Sequence, residues 1–137
     1  MSRLVMISNR LPVSISRQKG EFVYGESVGG LATGISSLDE PKKRLWFGWP
    51  GLTNNKLKAG DSEEITSELN KKGCHPVFLD KADYRGFYSG FSNNTIWPLF
   101  HYFSELTVYD EKYWESYKTV NKIFCDEIVP KLKETDT

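Results

Sequence analysis

The chain has 137 residues, which suits one domain burying roughly 65–70% of the surface its unfolded form exposes. Its 18 Lys and Arg match its 18 Asp and Glu, so there is no cationic surplus to displace counterions from a nucleic-acid backbone, and nucleic acid is not an expected partner. Apolar runs are short, and Cys74 and Cys125 stand far apart without CxxC spacing, so the expectation is a soluble cytoplasmic protein with reduced thiols, no membrane partner, no metal and no cofactor.

Leu4 to Ser8 is a compact apolar run containing β-branched residues, which predicts a strand buried on both faces of a parallel sheet. Val13 to Arg17 and Glu21 to Tyr24 alternate apolar and polar positions around Gln18-Lys19-Gly20, the pattern of a β-hairpin that extends the loop after strand one. Leu31, Ile35 and Leu38 follow Gly29-Gly30 at helical spacing, with Pro41 just beyond, so a helix is predicted to open at the glycine pair. Lys43 to Trp49 reads as a second strand, stopped by Pro50-Gly51, with Trp46 and Trp49 facing opposite sides. Thr53 to Ser62 reads as loop, Glu63 to Lys72 as a weak helix, His75 to Leu79 as a strand, and Asp80 to Gly90 as a polar connection with a short helix.

From Asp110 onward, Tyr113, Tyr117, Val120, Phe124 and Ile128 recur at three- and four-residue steps. That predicts an amphipathic helix ending near Pro130, with Asp110 and Glu111 at its positive end. The polar tail Lys131 to Thr137 is expected to fray. Strands alternating with helices predict an α/β, Rossmann-like layered domain with a mainly parallel sheet, whose ligands bind beyond the carboxyl ends of the strands.

Arg10 falls just past strand one, where a planar guanidinium is able to grip a phosphate through two parallel hydrogen bonds; the plain alternative is a surface arginine. Val28-Gly29-Gly30-Leu31 would offer free backbone N–H groups and a helix amino terminus to an anion, or serve only as a tight turn. It is neither GxGxxG after a strand nor GxxxxGK[ST], so dinucleotide and P-loop readings lack their fingerprint. Between Tyr88 and Phe103 aromatic rings crowd together with Ser92-Asn93-Asn94, a mixture of flat apolar faces and hydrogen-bonding groups that suits a sugar, although small domains use most aromatics as core. Phe100 and Phe103 are expected in the core, whereas Trp49, Tyr88 and Trp97, beside Gly, Asn or Pro in expected loops, are the candidates for a cleft. His75 and His101 lack an accompanying nucleophile motif and read as structural.

Taken together, Ile7-Ser8-Asn9-Arg10-Leu11-Pro12, Gly29-Gly30-Leu31-Ala32-Thr33-Gly34, Trp46-Phe47-Gly48-Trp49-Pro50-Gly51 and the run from Tyr88 to Tyr102 resemble the trehalose-6-phosphate synthase family. The likeness continues through Trp114, Tyr117, Asn121 and Phe124, and covers residues 1–137 as the beginning of a family member. It implies the amino-terminal, acceptor-binding half of a two-domain GT-B glycosyltransferase that moves glucose from UDP-glucose to glucose 6-phosphate with retention and without a metal. By resemblance, Arg10 holds the acceptor phosphate, Tyr88 and Trp97 shape the acceptor pocket with Trp49 beside them, and Gly29 and Gly30 approach the donor diphosphate. The donor-binding domain is expected to be absent from this sequence, so the chain alone is expected to be inactive and to leave a sheet edge uncovered. Two rival readings are a sugar-phosphate sensor or regulatory module that never meets a donor domain, and a structural piece that pairs with another polypeptide or with a second copy.

Overall fold

The computed structural model describes residues 3–27 and 44–137. The helix expected at Gly29 to Leu38 and the start expected at Lys43 lie outside them. Strands β1 (Leu4–Arg10), β4 (Arg44–Trp49) and β5 (Cys74–Pro76) form a parallel sheet in the order β1-β4-β5, while β2 (Val13–Gln18) and β3 (Glu21–Glu26) pair antiparallel as a separate hairpin. Helix α1 (Asp61–Asn70) connects β4 to β5. Helices α2 (Lys81–Tyr84), a π-helix (Arg85–Ile96) and α3 (Trp97–Phe100) run on from one another, and α4 (Glu111–Ile128) follows.

The central strand organises the core because its side chains alternate between two apolar layers. Trp46 packs with Leu11, Val13, Ile65, Leu69 and Cys74 on the side of the hairpin and α1. Phe47 and Trp49 pack with Val77, Leu79, Val120 and Ile128 on the side of α4. Burial of each such large side chain contributes on the order of 1.5–3 kcal/mol relative to exposure, so β4 anchors both layers at once.

The hairpin turns at Lys19 and Gly20, both at positive φ (50° and 92°), the two-residue geometry whose twist matches paired strands. Register runs from Gln18 opposite Glu21 to Val13 opposite Glu26. Arg17 fastens the hairpin to α1 by pairing with Asp61, whose carboxylate also accepts from the Lys58 N–H at 2.7 Å.

Five expectations need correction. Leu4 to Ser8 forms a strand that is not buried on both faces: Leu4 is 41% and Ile7 59% exposed, because β1 is an outer strand of the β1-β4-β5 sheet and the described elements cover it incompletely. β5 is confined to Cys74–Pro76 instead of running to Leu79, because its neighbour β4 ends at Trp49 before the Pro50-Gly51 turn and Val77 finds the last available acceptor, Gly48 O, at 2.8 Å. The segment after Asp80 is helical through Phe100 instead of a loop with one short helix. Phe100 and Phe103 are 71% and 45% exposed, not core. The tail does not fray: Arg3 grips Asp136 through two hydrogen bonds of 2.9 and 2.7 Å, and Thr137 exchanges backbone bonds with Arg3 and Val5 along the outer side of β1. The Arg3 hydrogen bond holds the Asp136 carboxyl down to about 2.

Candidate substrate-binding site at the carboxyl end of the sheet

β1 and β4 keep parallel register from Leu4 opposite Arg44 to Ile7 opposite Phe47, and then slip so that Arg10 stands opposite Trp49. Three steps on β1 against two on β4 make a bulge at Ser8 and Asn9, a device that re-aims a side chain by reversing its face. Without the extra residue Asn9 would oppose Trp49. Gly48 makes the bulge possible, since a Cβ there would lie 2.9 Å from Ser8 O and 3.0 Å from Leu11 N. Ser8 ties it down: its hydroxyl donates to Arg10 O at 2.8 Å and accepts from Trp46 Nε1–H at 2.8 Å.

The bulge sets the exposed Arg10 guanidinium 5.7 Å from the centre of the buried Trp49 ring and beside Gly51. Trp49 Nε1 donates to Leu52 O at 3.0 Å, which fixes the indole. Tyr84 stacks on Trp49 with centroids 4.0 Å apart and planes at 27°, and Tyr88 stacks on Tyr84 at 5.4 Å and 20°. A cation therefore heads a row of three aromatic rings. Burial pushes the Tyr84 phenol up, the neighbouring Tyr88 adds to this, and the Arg10 charge opposes both.

The wide helix carries Tyr88 toward the row on one side and binds the protein with its other side. Trp97 N–H bonds to Ser92 O, a five-residue step, and the Ser92 hydroxyl donates to Phe87 O at 3.0 Å. Phe91 meets Tyr117 at 4.5 Å and Trp114 at 5.5 Å on α4. Gly86 and Gly90 permit this closeness, because a Cβ on either would run into Ser116 or the Tyr113 ring. Asp110 caps α4 by accepting from Lys112 N–H at 2.9 Å, and Val108 N–H bonds to Asn94 O at 2.8 Å, which draws the intervening loop onto the π-helix. Widened helices of this kind recur at functional sites.

Of the residues singled out by sequence, the structure brings Arg10, Trp49 and Tyr88 together. They lie in a strand end and a helix, not in loops. Trp97, 51% exposed, belongs to a separate stack with His101 at 4.1 Å and Phe103 at 6.3 Å. Gly29 and Gly30 lie outside the described residues. Sequence reading missed Tyr84, although its four-residue spacing from Tyr88 was the available signal, and missed Ser8 as the tie of the bulge. A cavity of ≈ 470 Å³ between the end of β1 and α4 is walled by groups such as Ile7, Phe87, Phe124 and Ile128, and offers no cation; an anionic ligand is better matched by the Arg10 row.

Residues 2–137 match the model of glycosyltransferase family 20. An alpha,alpha-trehalose-phosphate synthase (UDP-forming) of Botryotinia fuckeliana is 39% identical over 98% of this chain and 26% of its own length. A Burkholderia xenovorans alpha,alpha-trehalose-phosphate synthase solved in complex with glucose-6-phosphate shares 29% identity with a TM-score of 0.66, over 99% of this chain and 27% of that one. An E. coli protein described as trehalose-6-phosphate bound with UDP-2-fluoro glucose shares 30% with a TM-score of 0.68, over 98% of this chain and 26% of that one. The chain thus spans about a quarter of the length of the relatives it matches, and its parallel-sheet α/β fold matches the amino-terminal GT-B domain of such structures.

Proposed function

The chain belongs to glycosyltransferase family 20, and from that membership we propose that residues 1–137 are one acceptor-side domain of an enzyme making α,α-trehalose 6-phosphate from UDP-glucose and glucose 6-phosphate. The observation that carries this reading is the bulge-aimed Arg10 guanidinium 5.7 Å from the Trp49 ring, heading the row Trp49, Tyr84 and Tyr88 beyond the carboxyl ends of β1 and β4. That position is where open α/β sheets bind ligands.

In this proposal Arg10 takes the acceptor phosphate through charge-assisted hydrogen bonds. Tyr88 offers its ring face to the C–H surface of the sugar, while Trp97, in its separate stack with His101 and Phe103, stays a pocket candidate by resemblance alone. Gly29 and Gly30, outside the described residues, remain the donor-side candidates by resemblance. In the reaction, the acceptor's anomeric hydroxyl oxygen forms a bond to C1 of the donor glucose as the bond from C1 to the diphosphate oxygen breaks, its proton passing to that departing oxygen and UDP leaving. The contribution of the acceptor side is positioning, which is able to remove as much as roughly 7–11 kcal/mol of a bimolecular barrier. A donor-side domain supplies the remaining half of the cleft, and a cytoplasmic location accords with the free thiols of Cys74 and Cys125.

Calorimetric titration of the folded chain with glucose 6-phosphate, against glucose as the control without phosphate, tests the acceptor site. Saturable binding of the phosphosugar alone is expected; no binding, or equal binding of both sugars, overturns the role of Arg10.

A further inference from the structure

We propose that Tyr84 is a positioning residue of this acceptor site, acting through its stack on the core ring of Trp49 to hold Tyr88 at a fixed distance from Arg10; the inference rests on the acceptor-site reading above. Tyr84 is the middle of the row. Its ring contacts Trp49 at 4.0 Å on the strand side and Tyr88 at 5.4 Å on the helix side, with interplanar angles of 27° and 20°.

The two outer rings are anchored unequally. Trp49 is 7% exposed and hydrogen-bonded to Leu52 O, so it belongs to the rigid core. Tyr88 is 39% exposed, and its described ring contact is Tyr84. The position of Tyr88 therefore depends on a half-buried neighbour that leans on the core tryptophan. The Arg10 charge also reaches Tyr84, where it opposes the upward push that burial gives the phenol. Tyr84 thus lies between the cation and the ring that the acceptor-site reading assigns to the sugar.

The backbone supports the same role. Tyr84 ends α2 and Tyr88 lies in the first turn of the π-helix, so the four-residue spacing stacks the two rings along one side of a continuous helical segment. On the opposite side Phe87 and Phe91 pack against Tyr117. Removing the Tyr84 ring leaves that packing in place and frees Tyr88 from its only ring support among the described contacts.

The test compares glucose 6-phosphate binding by calorimetry for the parent chain, Tyr84→Leu, Tyr84→Met and Tyr84→Phe, with circular dichroism melting for each and near-ultraviolet dichroism to follow the Trp49 stack. Both ringless variants are expected to bind about tenfold more weakly, equivalent to ~1.4 kcal/mol. Tyr84→Phe is expected to stay within about threefold and to keep the near-ultraviolet band, because the ring and not the hydroxyl positions its neighbours. If one ringless variant fails to fold, the other carries the measurement. Parental affinity in a folded ringless variant overturns the inference about Tyr84 alone, as does a Tyr84→Phe variant as weak as Tyr84→Leu. Absence of binding by the folded parent overturns the acceptor-site reading itself.

Discussion

The guanidinium of Arg10 lies 5.7 Å from the centre of the Trp49 ring, in register across β1 and β4 only because β1 carries an extra residue between Ile7 and Arg10. Arg10 is exposed and adds little to the core, so Arg10→Ala should change unfolding free energy by no more than ~0.5 kcal/mol. Loss of a charge-assisted phosphate contact should weaken glucose 6-phosphate binding about tenfold to a hundredfold, or ~1.5–3 kcal/mol. Titration calorimetry beside urea unfolding checks both halves, and an unchanged affinity in the folded variant removes Arg10 from the site.

Ser8 holds the bulge from both sides, accepting from Trp46 Nε1–H and donating to Arg10 O. Ser8→Ala strands the indole N–H of a residue that is 2% exposed. Stability should fall by about 1–3 kcal/mol, and phosphosugar affinity should fall as well, although Ser8 need not touch the ligand. A stability loss with parental affinity would show that the bulge stands without the hydroxyl.

Gly86 sits where the π-helix meets α4, and a methyl group there collides with Ser116. Gly86→Ala should destabilise the fold by about 1–3 kcal/mol through overpacking. Adding Ser116→Gly should recover a large part of that loss by emptying the space, although a second helical glycine itself costs roughly 1 kcal/mol. A double-mutant cycle read by denaturant unfolding measures the coupling; simple additivity would place the two helices farther apart than the structure does.

His75 stacks on Phe47 at 5.1 Å, and burial, followed by the Lys131 and Arg3 charges, pushes its imidazolium pKa below the ordinary 6.5. The unfolded chain therefore takes up a proton at this residue before the folded chain does. The stabilising contribution is present above about pH 6.5 and is lost as pH falls through the lower folded value. Urea unfolding at pH 7.5 and 5.5 should show a drop in stability on acidification that shrinks in His75→Gln. An identical drop in both proteins would assign the pH dependence to other groups.

Much of the frame was legible in the sequence. Leu4 to Ser8 forms a strand, although not the doubly buried one expected, the Val13 to Tyr24 alternation forms the hairpin it implies, and the 3.6-residue rhythm of Tyr113, Tyr117, Val120, Phe124 and Ile128 forms α4. The long helical run after Asp80 was not legible, because Gly86, Gly90, Asn93, Asn94 and Pro98 all speak locally against a helix. Those glycines admit α4, and Pro98 follows directly on the π-helix, where the carbonyl of Asn94 accepts from Val108 N–H instead of from within the helix. The site shows the same division. Arg10 at a strand end could be picked out by residue type, but the face it takes depends on a bulge permitted by the space above Gly48, a fact of tertiary contact that no local pattern in Ser8-Asn9-Arg10 announces.

The clasp between Arg3 and Asp136 joins residues 133 positions apart, almost the full span of the chain. Closing so long a loop costs only about 0.6 kcal/mol more entropy than closing one half its length, yet little rewards the encounter until β1 and α4 are already in place. Docking of the Lys133 to Thr137 segment onto β1 is therefore expected late in folding and early in local opening. The amides of Val5 and Thr137, which share this pairing, should exchange with solvent through a shallow opening that leaves the amides of β4 protected, so the chain's outermost seam works as a latch whose release precedes any loss of the core.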